Sequence, residues 1–108
     1  MPAGYTMLVL GEPSDPDVVA ALTTRPTSEL SKCYVMPGHH GAGVAAALMA
    51  RTLDAARARG AAAIWLGVNE ENAKAQRFYA KSGFVAVGRK RFLVGDRWED
   101  DLVLERVF

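Results

Sequence analysis

Cysteine is nearly missing from this chain. Cys33 stands alone among 108 residues, which excludes an internal disulfide and suits a reducing, cytoplasmic setting. It sits in a strand-like run, where a lone cysteine behaves as a small buried apolar residue rather than a nucleophile. Charge of one sign is also lacking: 13 basic against 12 acidic side chains leave +1, with no long basic run. Nucleic-acid binding therefore gets no support from charge. No apolar run is long enough to span a bilayer, so no membrane partner is expected. Met1–Thr6 has no charged segment ahead of an apolar one, so no secretory signal is visible. Histidine occurs only as the adjacent pair His39-His40, without a downstream Cys, His or Asp cluster, and no metal site is expected. Repeats and low-complexity linkers are absent as well. What remains has the size of one domain, residues 1–108, with half its residues hydrophobic.

The stretch that organises the chain is Tyr34–Ala47. Tyr34 and Val35 have the character of a strand end, and Pro37-Gly38 stops the strand because proline offers no amide to a ladder. Gly41 and Gly43 let the backbone turn sharply and approach a ligand with no Cβ in the way. An alanine-rich helix over about Gly43–Arg59 follows. Its first amides have no intrahelical partner and lie at the positive end of the dipole, so they suit an anion, above all a diphosphate. Gly41-Ala42-Gly43-Val44-Ala45-Ala46 also fits the dinucleotide fingerprint Gly-x-Gly-x-x-Gly/Ala. That motif should follow its strand directly and be answered by an acid about 20 residues on; here 37–40 intervene and Glu70 is too distant.

In chain order, Tyr5–Leu10 reads as a buried strand, and Asp15-Pro16 opens a short helix through Leu22, with Asp15 as N-cap. Glu29–Val35 is the strand feeding the glycine loop. On the long helix, Val44, Leu48, Met49, Thr52, Leu53 and Ala56 share one face, and Gly60 closes it. Ala62–Val68 lacks polar alternation, as in a strand covered on both faces, and strand–helix–strand predicts a right-handed parallel unit. A second helix occupies about Ala73–Ser82, stopped by Gly83. Phe84–Arg91 and Asp101–Val107 read as two more strands. Trp65 and Phe84 read as packing residues. Trp98 falls in a loop-like, charged stretch, where it either lines an acceptor site or packs on the surface.

Val35-x-Pro37 followed by His40-x-x-Gly43-x-Ala45 resembles the acetyl-coenzyme A signature Gln/Arg-x-x-Gly-x-Gly/Ala of the GCN5-related N-acetyltransferases. Asn72-Ala73-x-Ala75-x-x-Phe78-Tyr79-x-x-x-Gly83-Phe84 is similar to the family's second motif. The resemblance spans Glu29–Phe84 and continues more weakly to about Leu104. It implies an α/β fold, a mixed central sheet flanked by helices, and acetyl transfer from acetyl-CoA to a primary amine by direct attack, without a metal. Arg91–Asp96 and Asp101-Leu102 are similar to members that include polyamine acetyltransferases, which points to a small amine or polyamine.

The resemblance also assigns roles. The amides from Gly41 to Val44, with Ala42 between and Ala45 behind, would grip the diphosphate, and His40 stands in for the family's Gln/Arg near phosphate. The strand end Tyr34-Val35 would splay from its neighbour, hold the thioester arm and offer the Val35 amide to the carbonyl oxygen. Tyr79 would sit beside the sulfur as an acid for the departing thiolate, a phenol near pKa ~10 serving a thiol nearer ~8.5; adjacent Phe78 leaves open that Tyr79 is core. Asn72 is an N-cap, a contact to the pantetheine arm, or both. The attacking amine must lose a proton, and Glu29 matches a position where relatives often carry a glutamate; an exposed strand-start carboxylate is the plainer reading.

Relatives normally begin with further elements before the segment that starts here at Tyr5. Those elements usually form much of one wall of the acceptor pocket, so acceptor recognition and the covering of the apolar edge Tyr5–Leu10 are open at this point, and an exposed apolar edge invites pairing with a second copy. A homodimer is expected; a truncated gene model would explain the length equally well. The alternatives to catalysis are a non-catalytic acyl-CoA-binding module and a fragment that functions only with a partner chain.

Overall fold

The computed structural model describes the backbone of residues 4–35 and 42–108, and side chains throughout these except at 32–35, 42 and 92. Five strands and three helices alternate: β1 (Gly4–Leu10), α1 (Pro16–Ala21), β2 (Thr27–Val35), α2 (Ala42–Ala58), β3 (Ala63–Asn69), α3 (Ala73–Lys81), β4 (Val85–Val94) and β5 (Arg97–Val107). They form one mixed sheet in the order β1-β2-β3-β5-β4. β2 and β3 run parallel across the α2 crossover, and the other neighbours are antiparallel.

Local chemistry sets the helix starts. Asp15 caps α1 by accepting from the Asp17 amide at 2.9 Å, with proline in the first turn, where its missing N–H costs nothing. Asn72 does the same for α3, accepting from the Ala75 amide at 3.1 Å.

The helices cover the two faces unequally. α2 and α3 lie on one face, where Met49, Leu53 and Ala56 of α2 and Phe84 pack on Leu30, Ile64, Leu66, Val68 and Leu104. Val18 and Leu22 from the α1 segment pack on Trp65 and Val103 on the other face. Each buried aliphatic there contributes about 1.5–3 kcal/mol, enough to hold a six-residue helix that could not stand alone. α1 comes so close to β4 that a Cβ on Gly88 would meet the Ala21 Cβ at 2.6 Å. Beneath the turn that follows α1, the buried Glu105 carboxylate accepts from the Thr23 amide (3.1 Å), the Thr23 hydroxyl (2.5 Å) and the Thr24 amide (3.3 Å). These donors make Glu105 a structural staple.

β1 lies at one edge of the sheet, and Tyr5, Met7, Val9 and Leu10 are about half exposed, so it is not the buried strand its apolar run suggests. Its inward side is tied to α2 by a 2.8 Å hydrogen bond between the Thr6 and Thr52 hydroxyls.

Three further expectations change. β2 begins at Thr27 rather than Glu29, because Thr27 and Ser28 already pair with Ala63 and Ile64. The last two strands are longer than their sequences suggest: β4 runs on to Val94 and β5 starts at Arg97, joined by a two-residue turn with Gly95 at φ 63°. Trp98 therefore lies on a strand opposite Leu93 instead of in a loop, exposed, with the Arg91 guanidinium 4.7 Å over its ring. The parallel β2–β3 pair and the covered β3 agree with the sequence.

Candidate active site

The site is built where β2 and β3 part. Thr27, Ser28 and Glu29 pair with Ala63, Ile64 and Trp65, and there the ladder stops, although β2 continues to Val35 and β3 to Asn69. The cause lies two residues on. β1 pairs Leu8 with Leu30 but Met7 with Lys32, so Ser31 is an extra residue in β2. Such a bulge bends its strand and increases the local twist, which turns the rest of β2 away from β3. The facing edges of β2 beyond Glu29 and β3 beyond Trp65 thus bound a wedge with backbone groups released from the ladder. Tyr34 and Val35 are at the far end of β2, on backbone that still pairs with Tyr5 and Gly4 of β1 on the other side.

α2 begins beyond this end of β2. Its first turn carries no acidic side chain, so nothing in it offsets the positive pole of a 17-residue helix. Among the described residues, nothing lies within 4 Å of a Cβ built on Gly43. Gly43 is exposed, and Val44 and Ala45 are half-buried. Ala42 is the first helical residue, and His40 and Gly41 lie outside the described residues.

Tyr79 approaches from the α2–α3 face. It packs half-buried against the main core, with its ring edge-on to Phe78 (centroids 5.4 Å) and Phe84 (5.8 Å). Asn72 is the α3 cap, which settles that half of its expected role. Gln76 ties the same loop by donating to the Asn69 and Glu70 carbonyls. Glu29 is on the last rung of the ladder, half-buried and opposite Trp65, so it shares the α1 face with that ring.

On that face the sequence alone misses a constellation. β3 is buried along Ala63–Leu66 and at Val68, yet exposed at Gly67. A Cβ there would lie 3.0 Å from Lys90 Cε, 3.3 Å from Asp101 Oδ2 and 3.4 Å from Lys90 Nζ. Lys90 and Asp101 are cross-strand partners, and the Lys90 ammonium also stands 6.0 Å from the Trp65 ring centre. Burial raises the Asp101 carboxyl above its ordinary range; Lys90 opposes the rise, and Glu99 and Asp100 add to it. The available signal was Gly67 itself, since a glycine inside an apolar strand marks a close approach.

A cavity of about 530 Å³ lies at the opposite end of the sheet, among Leu10, Arg25, Thr27, Ser28, Arg59 and Ala61. That is the negative end of α2, and Arg25 is occupied by Glu12 and by the Val19 and Leu22 carbonyls. It offers nothing to a diphosphate held at the other pole. Among the described residues no group of three His, Cys, Asp or Glu could hold a metal, and no helix is long and apolar enough to cross a membrane.

Comparison with known proteins places these features. The family model described as Acetyltransferase (GNAT) family matches residues 2–84. An uncharacterised N-acetyltransferase of Mycobacterium tuberculosis is 48% identical over 103 residues, 95% of this chain and 58% of that protein. The streptothricin acetyltransferase of Streptomyces lavendulae is 44% identical over 54 residues, 50% of this chain and 29% of its own length. The crystal structure of nourseothricin acetyltransferase superposes with a TM-score of 0.73 at 28% identity, covering 97% of this chain and 57% of that one. The chain thus spans a little over half the length of the mycobacterial relative.

Proposed function

Since the chain belongs to the acetyltransferase (GNAT) family, we propose that it transfers the acetyl group of acetyl-CoA to a primary amine by direct attack on the thioester. The observation that carries this reading is the wedge: the β2–β3 ladder ends at Glu29 and Trp65 while both strands run on, and α2 follows β2 in the chain.

The helix amides from Ala42 to Ala45, together with Gly41 and His40, hold the diphosphate of coenzyme A. The pantetheine arm then runs along the released edge of β2 toward the wedge, with Asn72 beside it. Tyr34 and Val35 contribute backbone to the thioester arm, and the Val35 amide supports the carbonyl oxygen as negative charge develops on it. Tyr79 gives its hydroxyl proton to the departing thiolate. Glu29, at the floor of the wedge, draws in the cationic amine and is the sequence's candidate for managing its proton. No metal enters these steps.

The acceptor is a small amine or polyamine. The streptothricin and nourseothricin acetyltransferases support a small molecule over a protein terminus. The protein acts in the cytoplasm, in keeping with a single cysteine. It works as a homodimer through β1, whose outward Tyr5, Met7 and Val9 row is a surface that edge strands rarely leave uncovered. Sedimentation showing only monomer at every concentration would refute that assembly.

Tyr79→Phe tests the chemistry. Turnover, followed as thiol release from acetyl-CoA with a panel of primary amines, should fall by about 100-fold, the usual worth of a positioned acid, while calorimetric affinity for coenzyme A stays within about twofold. Equal loss of both would make Tyr79 a packing residue. Coenzyme A binding without thiol release for any amine would leave an acyl-CoA-binding module.

A further inference from the structure

Glu29 is not the only carboxylate on the acceptor side of the wedge. We propose that Asp101 is the base that takes the proton from the acceptor ammonium, its carboxylate reaching over Gly67 beside the free edge of β3. The proposal rests on the acetyl-transfer reading above and adds to it the residue that readies the nucleophile.

Three observations converge. First, β5 is separated from the wedge by β3, and a side chain at position 67 would fill the space between them. Gly67 leaves that space to Asp101, whose Oδ2 lies 3.3 Å from where the missing Cβ would be. Second, the window is open: Gly67 is exposed although β3 is buried on either side of it, so an amine has access from solvent. Third, the two proton-handling groups fall on opposite faces of the sheet. Tyr79 belongs to the cluster under α2 and α3. Asp101 shares the other face with Asn69 and, by alternation, with Gly67 and Trp65. A thioester in the wedge between them is met by the amine from one side and loses its sulfur toward the other.

The charges around Asp101 suit the role. Lys90 faces it from β4, Glu99 and Asp100 adjoin it on β5, and Glu29 shares its face from β2. From α1, Asp17 reaches toward the Arg91 amide, at 3.4 Å. Arg91 and Arg97 are turned to Asp100 and Glu99, at 3.6 Å each. Two neighbouring acids and one cation thus act on Asp101 directly, and burial keeps the carboxyl more basic than an exposed aspartate.

In the step itself, one ammonium proton passes to Asp101. The freed lone pair forms the C–N bond to the thioester carbon, and the C–S bond breaks. Tyr79 protonates the sulfur and is restored by the second proton lost from nitrogen. The products are the amide, the thiol and one proton, released to solvent from Asp101.

The test is kcat/KM against pH for 1,4-diaminobutane and n-butylamine, in the unsubstituted chain, Asp101→Asn and Lys90→Met. Asp101→Asn should lose about 100-fold near neutral pH, and the deficit should shrink as pH rises toward the amine's own pKa of ~10.4. Its affinity for coenzyme A should stay within about twofold, and its melting temperature should not fall. Lys90→Met removes the one charge that holds the Asp101 carboxyl down, so the acid limb of the profile should move to higher pH. An unchanged profile in both variants overturns the assignment, as does a parallel loss of coenzyme A affinity or stability in Asp101→Asn. The same outcome in Glu29→Gln, with Asp101→Asn unaffected, returns the role to Glu29. Absence of thiol release from the unsubstituted chain, with coenzyme A bound, removes the transfer reading and this one with it.

Discussion

Gly43→Ala pushes stability and binding in opposite directions. In the folded chain a Cβ at this position touches nothing within 4 Å among the described residues, so a methyl group displaces none of them. Alanine is favoured over glycine by about 0.8–1.0 kcal/mol inside a helix, and at the second residue of α2 roughly half of that should be realised. For a domain of this size, that raises the melting temperature by about 2–4 °C. The same methyl group stands where a phosphate oxygen must come within ~2.9 Å of the helix amides. Losing one hydrogen bond to a charged group costs about 1.5–3 kcal/mol, which is a fall in affinity of about 10- to 150-fold. Thermal melts without ligand and calorimetry with coenzyme A read the two effects separately. Unchanged affinity would show that no diphosphate rests on Gly43, and a lower melting temperature would show that the mouth of α2 is not open. Either result breaks the reasoning from helix mouth to cofactor.

Gly88→Ala should act through packing alone: its methyl would meet the Ala21 Cβ at 2.6 Å, so α1 must move off the sheet, at about 1–3 kcal/mol by chemical denaturation. A stability equal to that of the unsubstituted chain would mean that α1 is not seated as described. Ser28→Ala should be neutral or stabilising by up to about 1 kcal/mol, because the fully buried Ser28 Oγ has no hydrogen-bond partner among the described residues; a clear loss in melting temperature would reveal a partner. Asp101 binds its proton more tightly in the folded chain than in the unfolded one. Its contribution to stability is therefore most favourable below the ordinary aspartate pKa and declines as pH rises through the folded value, and Asp101→Asn should flatten that decline in melting temperature against pH. Identical curves for the two proteins would remove the shift.

Much of this is legible in the sequence because it is local. Asp15 and Asn72 cap their helices through amides two and three residues away, and such contacts are written into the order of residues. The apolar run at Ala62–Val68 announces a strand buried on both faces. The hairpin was harder: Arg97–Asp100 carries three charges and looks like a loop, yet it is strand because Arg91–Val94 pairs with it residue for residue.

The sequence by itself determined the order of elements, the helix caps, the alanine-rich helix with an acid-free first turn, and the two motifs that mark the family. The tertiary structure alone decided where β2 and β3 separate, because a bulge at Ser31 exists only relative to the register of β1. It also decided that Asp101 belongs beside Gly67, 34 positions earlier in the chain and one strand away. Caps and periodicity depend on neighbours along the chain and survive in one dimension. A wedge and the carboxylate that overlooks it depend on which strands meet, and pairing of that kind is set by the burial of both sheet faces together.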